Sequence, residues 1–485
     1  MLDALDYSKP LHCDVVIAGA GLAGLVAGAI LSKHGREVIV VDGAPRIGGR
    51  AGGTPHRGYW LDGGQRDGAD VGDLQVGWRY GQLAAKEADV EVPLRVVEPT
   101  IRVHQISTEP DGTPALVLDG RWGAGGFIKM AKEIFGCPEA DLPEFISTLT
   151  SISSASEAER HAAIPMRLGP WLEANVKSPA VRRALLTMVT VIYCEYPADA
   201  SVGRLMGFFD ARDDLPKVQP AFPNHPRAGG IQGLMLPFAE AIDARNGRIL
   251  LGLAPRMLTF EGNRCTGLVA VNEGQLACEI QAKHTIVSMP VWQAIELFPR
   301  DRVDADFAQR AAALSEAQGD AICWQAGLHR LPTIRATGET ESHEGWNRVL
   351  EGDEKRYLGG FHFPSLSSRA SAPAGKHLIH AFVGRWLSGN PDDSWAGIRK
   401  KVDRVVAHLH EYYSDLNECI EWSAIQHLGA PAFLSWYWAP LRRHGLEVPG
   451  CKSVFIASTT IESDAGPIDI AAHAGLEAAR LVLNG

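Results

Sequence analysis

The chain has 485 residues, of which 46% are hydrophobic and 21% charged, and a formal net charge of -10. That length exceeds what one simple core supports, so two or more domains are expected. The composition is that of a soluble globular protein, and the acidic balance excludes a nucleic-acid partner and any general attraction to an anionic membrane.

The first strong pattern spans residues 14–50. An apolar run over 15–18 breaks into Gly19-x-Gly21-x-x-Gly24 and passes into a helical pattern that begins with Leu22 and Ala23. A second apolar run over 38–41 ends in Asp42 and Gly43. This predicts a strand, a tight turn, a helix and a second strand. Gly19 serves the turn, Gly21 lets backbone approach a pyrophosphate, and Gly24 lets helix and strand pack closely. The helix start offers N–H groups and a positive dipole end to phosphates. Asp42, about 20 residues on, stands where a carboxylate accepts hydrogen bonds from ribose hydroxyls. A membrane or secretory segment is the competing interpretation of the uncharged run 15–31. Asp3, Asp6 and Asp14 precede it, glycine is dense within it, and it is shorter than the roughly 20 apolar residues a spanning helix needs.

Next come Pro45-Arg46-Ile47-Gly48-Gly49-Arg50 and Gly58-Tyr59-Trp60-Leu61-Asp62-Gly63-Gly64. A second glycine pair lets another loop reach the same anionic group, and Arg50 offers it a planar fork of donors. On these residues the chain resembles the superfamily of flavoproteins that contains amine oxidases and phytoene desaturases. Its signature joins the dinucleotide turn, an acid, a G-G-R loop and a D-x-G segment. The resemblance implies FAD, with Gly19, Gly21 and Gly24 at the pyrophosphate, Asp42 and Gly43 at the adenosine ribose, Gly49 and Arg50 near the phosphates, and Asp62, Gly63 and Gly64 close to the flavin. The chain departs from the family at Asp42-Gly43-Ala44, where Glu-Ala-Arg is usual.

Beyond this, a helical pattern over 70–88 leads to two short strands within 92–106. Residues 116–120, ending in Asp119-Gly120, read as a hairpin turn, and 125–135 as a helix. Helical periodicity persists over 143–193. Gly229-Gly230-x-x-Gly233 opens a helix at 235–244, followed by strands at 248–253, 267–271 and 282–290. In the family this is the return to the FAD domain, with 255–258 at the adenine. The segment 301–442 is rich in tryptophan. Within it, Phe363-Pro364-Ser365-Leu366 and Ser371 to Leu378 resemble phytoene desaturases and retinol saturases in particular. Aromatic residues over 433–438 make a candidate pocket wall. Last come a strand at 454–459 and a helix at 467–483. Here Ser458-Thr459 and Asp469-Ile470 stand where the family has Gly-Asp and Glu-Gly, so the resemblance places these four residues beside the ribityl chain and flavin.

The expected fold is α/β: a Rossmann-type, glutathione-reductase-like FAD-binding domain with an inserted α+β substrate domain. The FAD domain takes residues 1–90, 223–300 and 446–485, and the substrate domain 91–222 and 301–445. Eight cysteines are scattered without a C-x-x-C pair, so no metal site or disulfide framework is expected, and a reducing cytoplasm is the expected setting. Cys451 precedes the last strand, too far from the ring for attachment, so FAD is expected to be non-covalent.

In such proteins the flavin takes or gives hydride at N5, while the protein orients the substrate and excludes water. Candidate bases lie on loops expected near the ring: Arg66 and Asp67, Glu462 and Asp464, and His473 in the last helix. For each of these, a solvated or structural role competes. Residues 319–324 carry no lysine, whereas amine oxidases of the family commonly have one there. The leading expectation is an oxidoreductase acting on a C–C bond of a small apolar organic substrate such as a polyene, terpenoid or alicyclic compound. The alternatives are an amine oxidase, an isomerase without net redox change, and a non-catalytic lipid-binding escort protein. Peripheral membrane contact is an expectation of the family alone, since no strongly basic amphipathic helix is evident.

Overall fold

The computed structural model describes residues 6–62, 78–96, 100–108, 114–121, 124–193, 197–209, 221–316, 318–386, 394–434, 442–463, 465 and 467–485. Leu11–Ala18 and Val38–Asp42 lie side by side as parallel strands, from Val15 opposite Val38 to Ala18 opposite Val41. Their unbroken apolar runs suit burial on both faces. Ala277–Val287 pairs in parallel with the other edge of the first strand, and Arg248–Leu251 and Val454–Ile456 extend the parallel sheet at either side. A hairpin of Leu253–Glu261 and Arg264–Asn272 continues it antiparallel.

Alternation along these strands builds two layers. Val15, Ile17, Val38 and Val40 pack with the helices Leu22–Lys33, Gln232–Ala244 and Pro467–Asn484, while Val16, Ala18, Ile39 and Val41 face the opposite core. Phe307, Ala311 and Leu314 of the helix Ala305–Glu316 belong to that second core. This helix thus shares a core with the sheet of the dinucleotide domain.

A second seven-stranded sheet runs in the order Ile420–Leu434, Gln318–Leu328, His377–Trp386, Arg356–His362, Trp346–Glu351, Thr100–Ile106, Leu116–Arg121. Trp395–Tyr412 covers one face through Ile398, Val402, Val405 and Leu409. The other face contributes Cys323, Trp346 and Phe382 to the core shared with the dinucleotide-side helices. Helices between Leu142 and Tyr193 close over that shared core, as their periodicity predicts. One expectation fails here: 116–120 is not a turn but the strand Leu116–Arg121, antiparallel to Thr100–Ile106. A Cβ on Gly120 would stand 2.9 Å from Ile134 Cδ1 and Met130 Cγ, so this glycine admits a helix rather than a bend. Among the described residues, no helix is long and apolar enough to cross a membrane.

Candidate active site

The first strand lies between two parallel neighbours on opposite sides, and the crevice beyond the carboxyl end of such a strand is the usual ligand position in these sheets. Gly19 turns the chain there with φ 113°, and a Cβ on it would stand 2.6 Å from the Ser288 carbonyl oxygen. At Gly24 a Cβ would meet the Gly19 carbonyl oxygen at 2.2 Å. Gly21 precedes the helix Leu22–Lys33 without a side-chain cap of its own, and Ser288 Oγ accepts the Gly24 N–H at 2.9 Å. The helix start therefore remains aimed at the crevice, with Leu22 and Ala23 in its first turn.

Asp42 braces this turn. Its Oδ2 accepts the Ala20 N–H at 2.7 Å and its Oδ1 the Ala44 N–H at 2.8 Å, which leaves further lone pairs for ribose hydroxyls. Beside it opens a cavity of about 770 Å³ lined by Gly43, Pro45, Gly252, Ala254, Arg256 and Asn272 among others, room enough for an adenosine. Arg256 lies within the stretch expected at the adenine. The G-G-R loop folds back onto the turn: Gly48 N–H donates to the Ala20 carbonyl at 2.8 Å, and a Cβ on Gly49 would lie 3.4 Å from Gly21 Cα. Arg50 is thereby carried to the phosphate region, where its Nη2 donates to Thr459 Oγ1 at 2.6 Å. Burial pulls this guanidinium down to about 10, so it stays charged at neutral pH.

Several expected ligands have other work in the structure. Asp62 Oδ1 accepts the Ile231 N–H at 3.2 Å, anchoring the start of Gln232–Ala244. Asp469, 1% exposed, accepts the N–H groups of Tyr80 at 3.0 Å and Gly81 at 2.8 Å. It caps the helix Arg79–Ala88. Burial pushes its carboxyl up to about 7 against the pull of those N–H groups. Ser458 turns its hydroxyl onto Thr460 Oγ1 at 2.6 Å, and Thr460 in turn meets His444 Nε2 at 2.7 Å, so Ser458 holds the loop while Thr459 meets Arg50. Ile470 is buried in the shared core.

Of the candidate bases, His473 is stacked on Tyr80 with centroids 4.0 Å apart and bonded through Nδ1 to Ser463 Oγ at 2.7 Å, a packing role. Glu462 Oε1 lies 3.6 Å from Nη2 of Arg204, a fully buried arginine of the helix Val202–Phe208. Gly63, Gly64, Arg66, Asp67 and Asp464 lie outside the described residues, as does the aromatic stretch 435–438. Cys451 directs its thiol to the Arg302 carbonyl at 3.7 Å.

The second sheet adds residues that no sequence pattern announces. On its face toward the dinucleotide domain, in step with Cys323 and Phe382, stand Gln325, 0% exposed, and His380, 1% exposed. His362 lies opposite His380 and stacks on Trp346 with centroids 3.8 Å apart. Gln325 Nε2 donates to Gln426 Oε1 across the strands, while its own Oε1 has no partner among the described residues. The centre of this face is polar.

The glycine cradle, the braced Asp42, the cavity beside it and the half-buried Arg50 fit a non-covalently bound FAD. The model of NAD(P)-binding Rossmann-like domains matches residues 17–66. AofH of Mycobacterium tuberculosis, a protein provisionally assigned as a flavin-containing monoamine oxidase, is 25% identical over 296 residues, which are 58% of this chain and 58% of AofH. The chain thus matches under two thirds of that relative's length. An oxidoreductase from Methanosarcina mazei superposes with a TM-score of 0.68 at 16% identity, covering 96% of this chain and all of that one. Putrescine oxidase bound to putrescine superposes with a TM-score of 0.61 at 15% identity, covering 98% of this chain and 100% of the oxidase. The fold is therefore α/β with a Rossmann-like FAD-binding domain, as in flavin amine oxidases.

Proposed function

We propose that the protein is an FAD-dependent oxidoreductase that removes hydride from a carbon bearing a nitrogen, converting an amine to an imine. Bound FAD would supply the hydride acceptor at its N5 position. The supporting observation is Gln325: a buried carbonyl oxygen without a partner, on the sheet face turned to the dinucleotide domain, is an acceptor waiting for a donor. An amine N–H meets that need and a hydrocarbon does not. Gln426 fixes the Gln325 side chain, His362 and Trp346 wall the same face, and the helices over the shared core exclude water. The substrate C–H bond breaks with its electron pair leaving as hydride, and the nitrogen gives up a proton as the imine forms.

A C–C dehydrogenation is the second reading, favoured by one feature: the strand Gln318–Leu328 contains no lysine. The two are separated by anaerobic titration of the purified flavoprotein. Bleaching by primary or alicyclic amines, and hydrogen peroxide formed in proportion on admitting oxygen, supports amine oxidation. Bleaching by an apolar alkene or terpenoid and by none of the amines rejects it.

A further inference from the structure

Thr459 is gripped from two sides. Arg50 Nη2 reaches its hydroxyl, and Arg443 Nη1 donates to its carbonyl oxygen at 2.6 Å. Arg443 is 6% exposed, and its Nε has no partner among the described residues. Burial, then Arg204, then Arg50 push its guanidinium well below the usual arginine range, and Glu462 only partly opposes them. Arg443 therefore senses both other guanidiniums, and among the described residues Glu462 is the carboxylate drawn into their company, 3.6 Å from Arg204 Nη2. Burying like charges is costly, and removing one partner of a buried pair leaves a large penalty, so such a file is stable when a ligand brings the missing anion. The close approach of Gly49 to Gly21 fixes where that anion lies, because Arg50 follows directly from the loop laid on the phosphate-binding turn.

We propose that Arg443 is a second pyrophosphate-binding arginine, working with Arg50 across Thr459. It gives a hold on the cofactor's phosphates where this chain has Ser458-Thr459 in place of the Gly-Asp that the resemblance implies. This rests on the flavoprotein reading. A diphosphate diester carries two negative charges, which balance the excess that Arg50, Arg443 and Arg204 leave over Glu462.

The test is binding to the apoprotein, followed by quenching of flavin fluorescence, with FAD, FMN and riboflavin as probes. Arg443→Gln is expected to weaken FAD by roughly tenfold or more, as for loss of a charged hydrogen bond, and to weaken FMN as well, while riboflavin changes by less than about twofold. Arg443→Lys, which keeps the charge without the fork, is expected to fall between and guards against a misfolded glutamine variant. Unchanged FAD affinity in both variants overturns the proposal and leaves the cluster to an anionic substrate group. Equal losses for riboflavin and FAD also overturn it, since they mean a scaffold role. A wild-type apoprotein that takes up none of the three flavins refutes the flavoprotein reading itself.

Discussion

Replacing Gly24 with alanine sets two effects of opposite sign against each other. Gly24 lies inside the helix Leu22–Lys33, and helix propensity alone would make Gly24→Ala stabilising by about 1 kcal/mol. The structure predicts the reverse. The new methyl carbon would stand 2.2 Å from the Gly19 carbonyl oxygen and 3.1 Å from both Ile17 Cγ2 and Ser288 Cβ. The first of these is backbone and sits in the turn itself, so no side-chain rotation relieves it. Helix and strand must separate by roughly an ångström, an overpacking cost of about 1–3 kcal/mol that outweighs the propensity gain. Separation also pulls the Gly24 N–H from Ser288 Oγ and opens the phosphate cradle. Urea unfolding of the apoprotein should therefore show a lower midpoint with an unchanged slope, and FAD affinity should fall by more than the stability loss alone explains. A variant as stable as wild type that binds FAD equally well would refute the assignment of this glycine to close helix–strand packing at a phosphate site.

Other expectations concern the substrate face and pH. Gln325→Leu removes the unpartnered acceptor at nearly constant volume and should lower kcat/KM for amines by roughly tenfold while leaving FAD affinity unchanged, as steady-state peroxide assays and flavin titration would show. Asp469 has its folded-state carboxyl raised to about 7, so its contribution to stability is fully present below about 4 and is lost as pH rises through 7. Asp469→Asn should therefore gain on wild type by up to roughly 3–4 kcal/mol between pH 4 and pH 8 in urea midpoints, and a constant difference would refute the burial argument. His408, packed against His104 at 2.9 Å, is pushed down to about 4 by burial, so the protein should lose roughly 3 kcal/mol as pH falls from 6.5 to 4. His408→Gln should blunt that acid loss.

What was legible in the sequence was local. The dinucleotide turn could be read because strand period, glycine chemistry and helix start follow one another within residues 14–42, and each constrains the next. The hairpin turn expected at 116–120 is a strand because Asp119-Gly120 is turn chemistry only in isolation, whereas here Arg102 Nε holds Asp119 at 2.8 Å and Gly120 admits Met130 and Ile134. Asp469 illustrates the limit more sharply: its carboxylate caps a helix 388 residues earlier in the chain, a partnership that no local pattern announces. Arg204 and Arg443 carry no motif at all. Their meaning comes from meeting Arg50 and Glu462, which only the closed fold brings together.

The expected apolar substrate also has to be weighed against Gln325. An alkyl chain laid on that oxygen leaves it without a donor, at a cost of about 1–3 kcal/mol. Burying a methylene returns about 0.8 kcal/mol, so a chain of a few carbons would offset the whole penalty in binding. On the proposed amine-oxidising reading, affinity therefore would not separate amines from hydrocarbons at Gln325. Orientation does, because hydride transfer needs the reacting carbon held within a narrow range of distance and angle, and a hydrocarbon sliding past an unpaired oxygen has nothing to fix it there. On the same reading, a substrate donating an N–H to Gln325 would have one preferred pose, because Gln426 holds the amide plane. Discrimination should accordingly fall on kcat, with KM values for amines and apolar analogues of similar size lying close together. A large preference expressed in KM alone would mean that the polar centre of the sheet is not what selects the substrate.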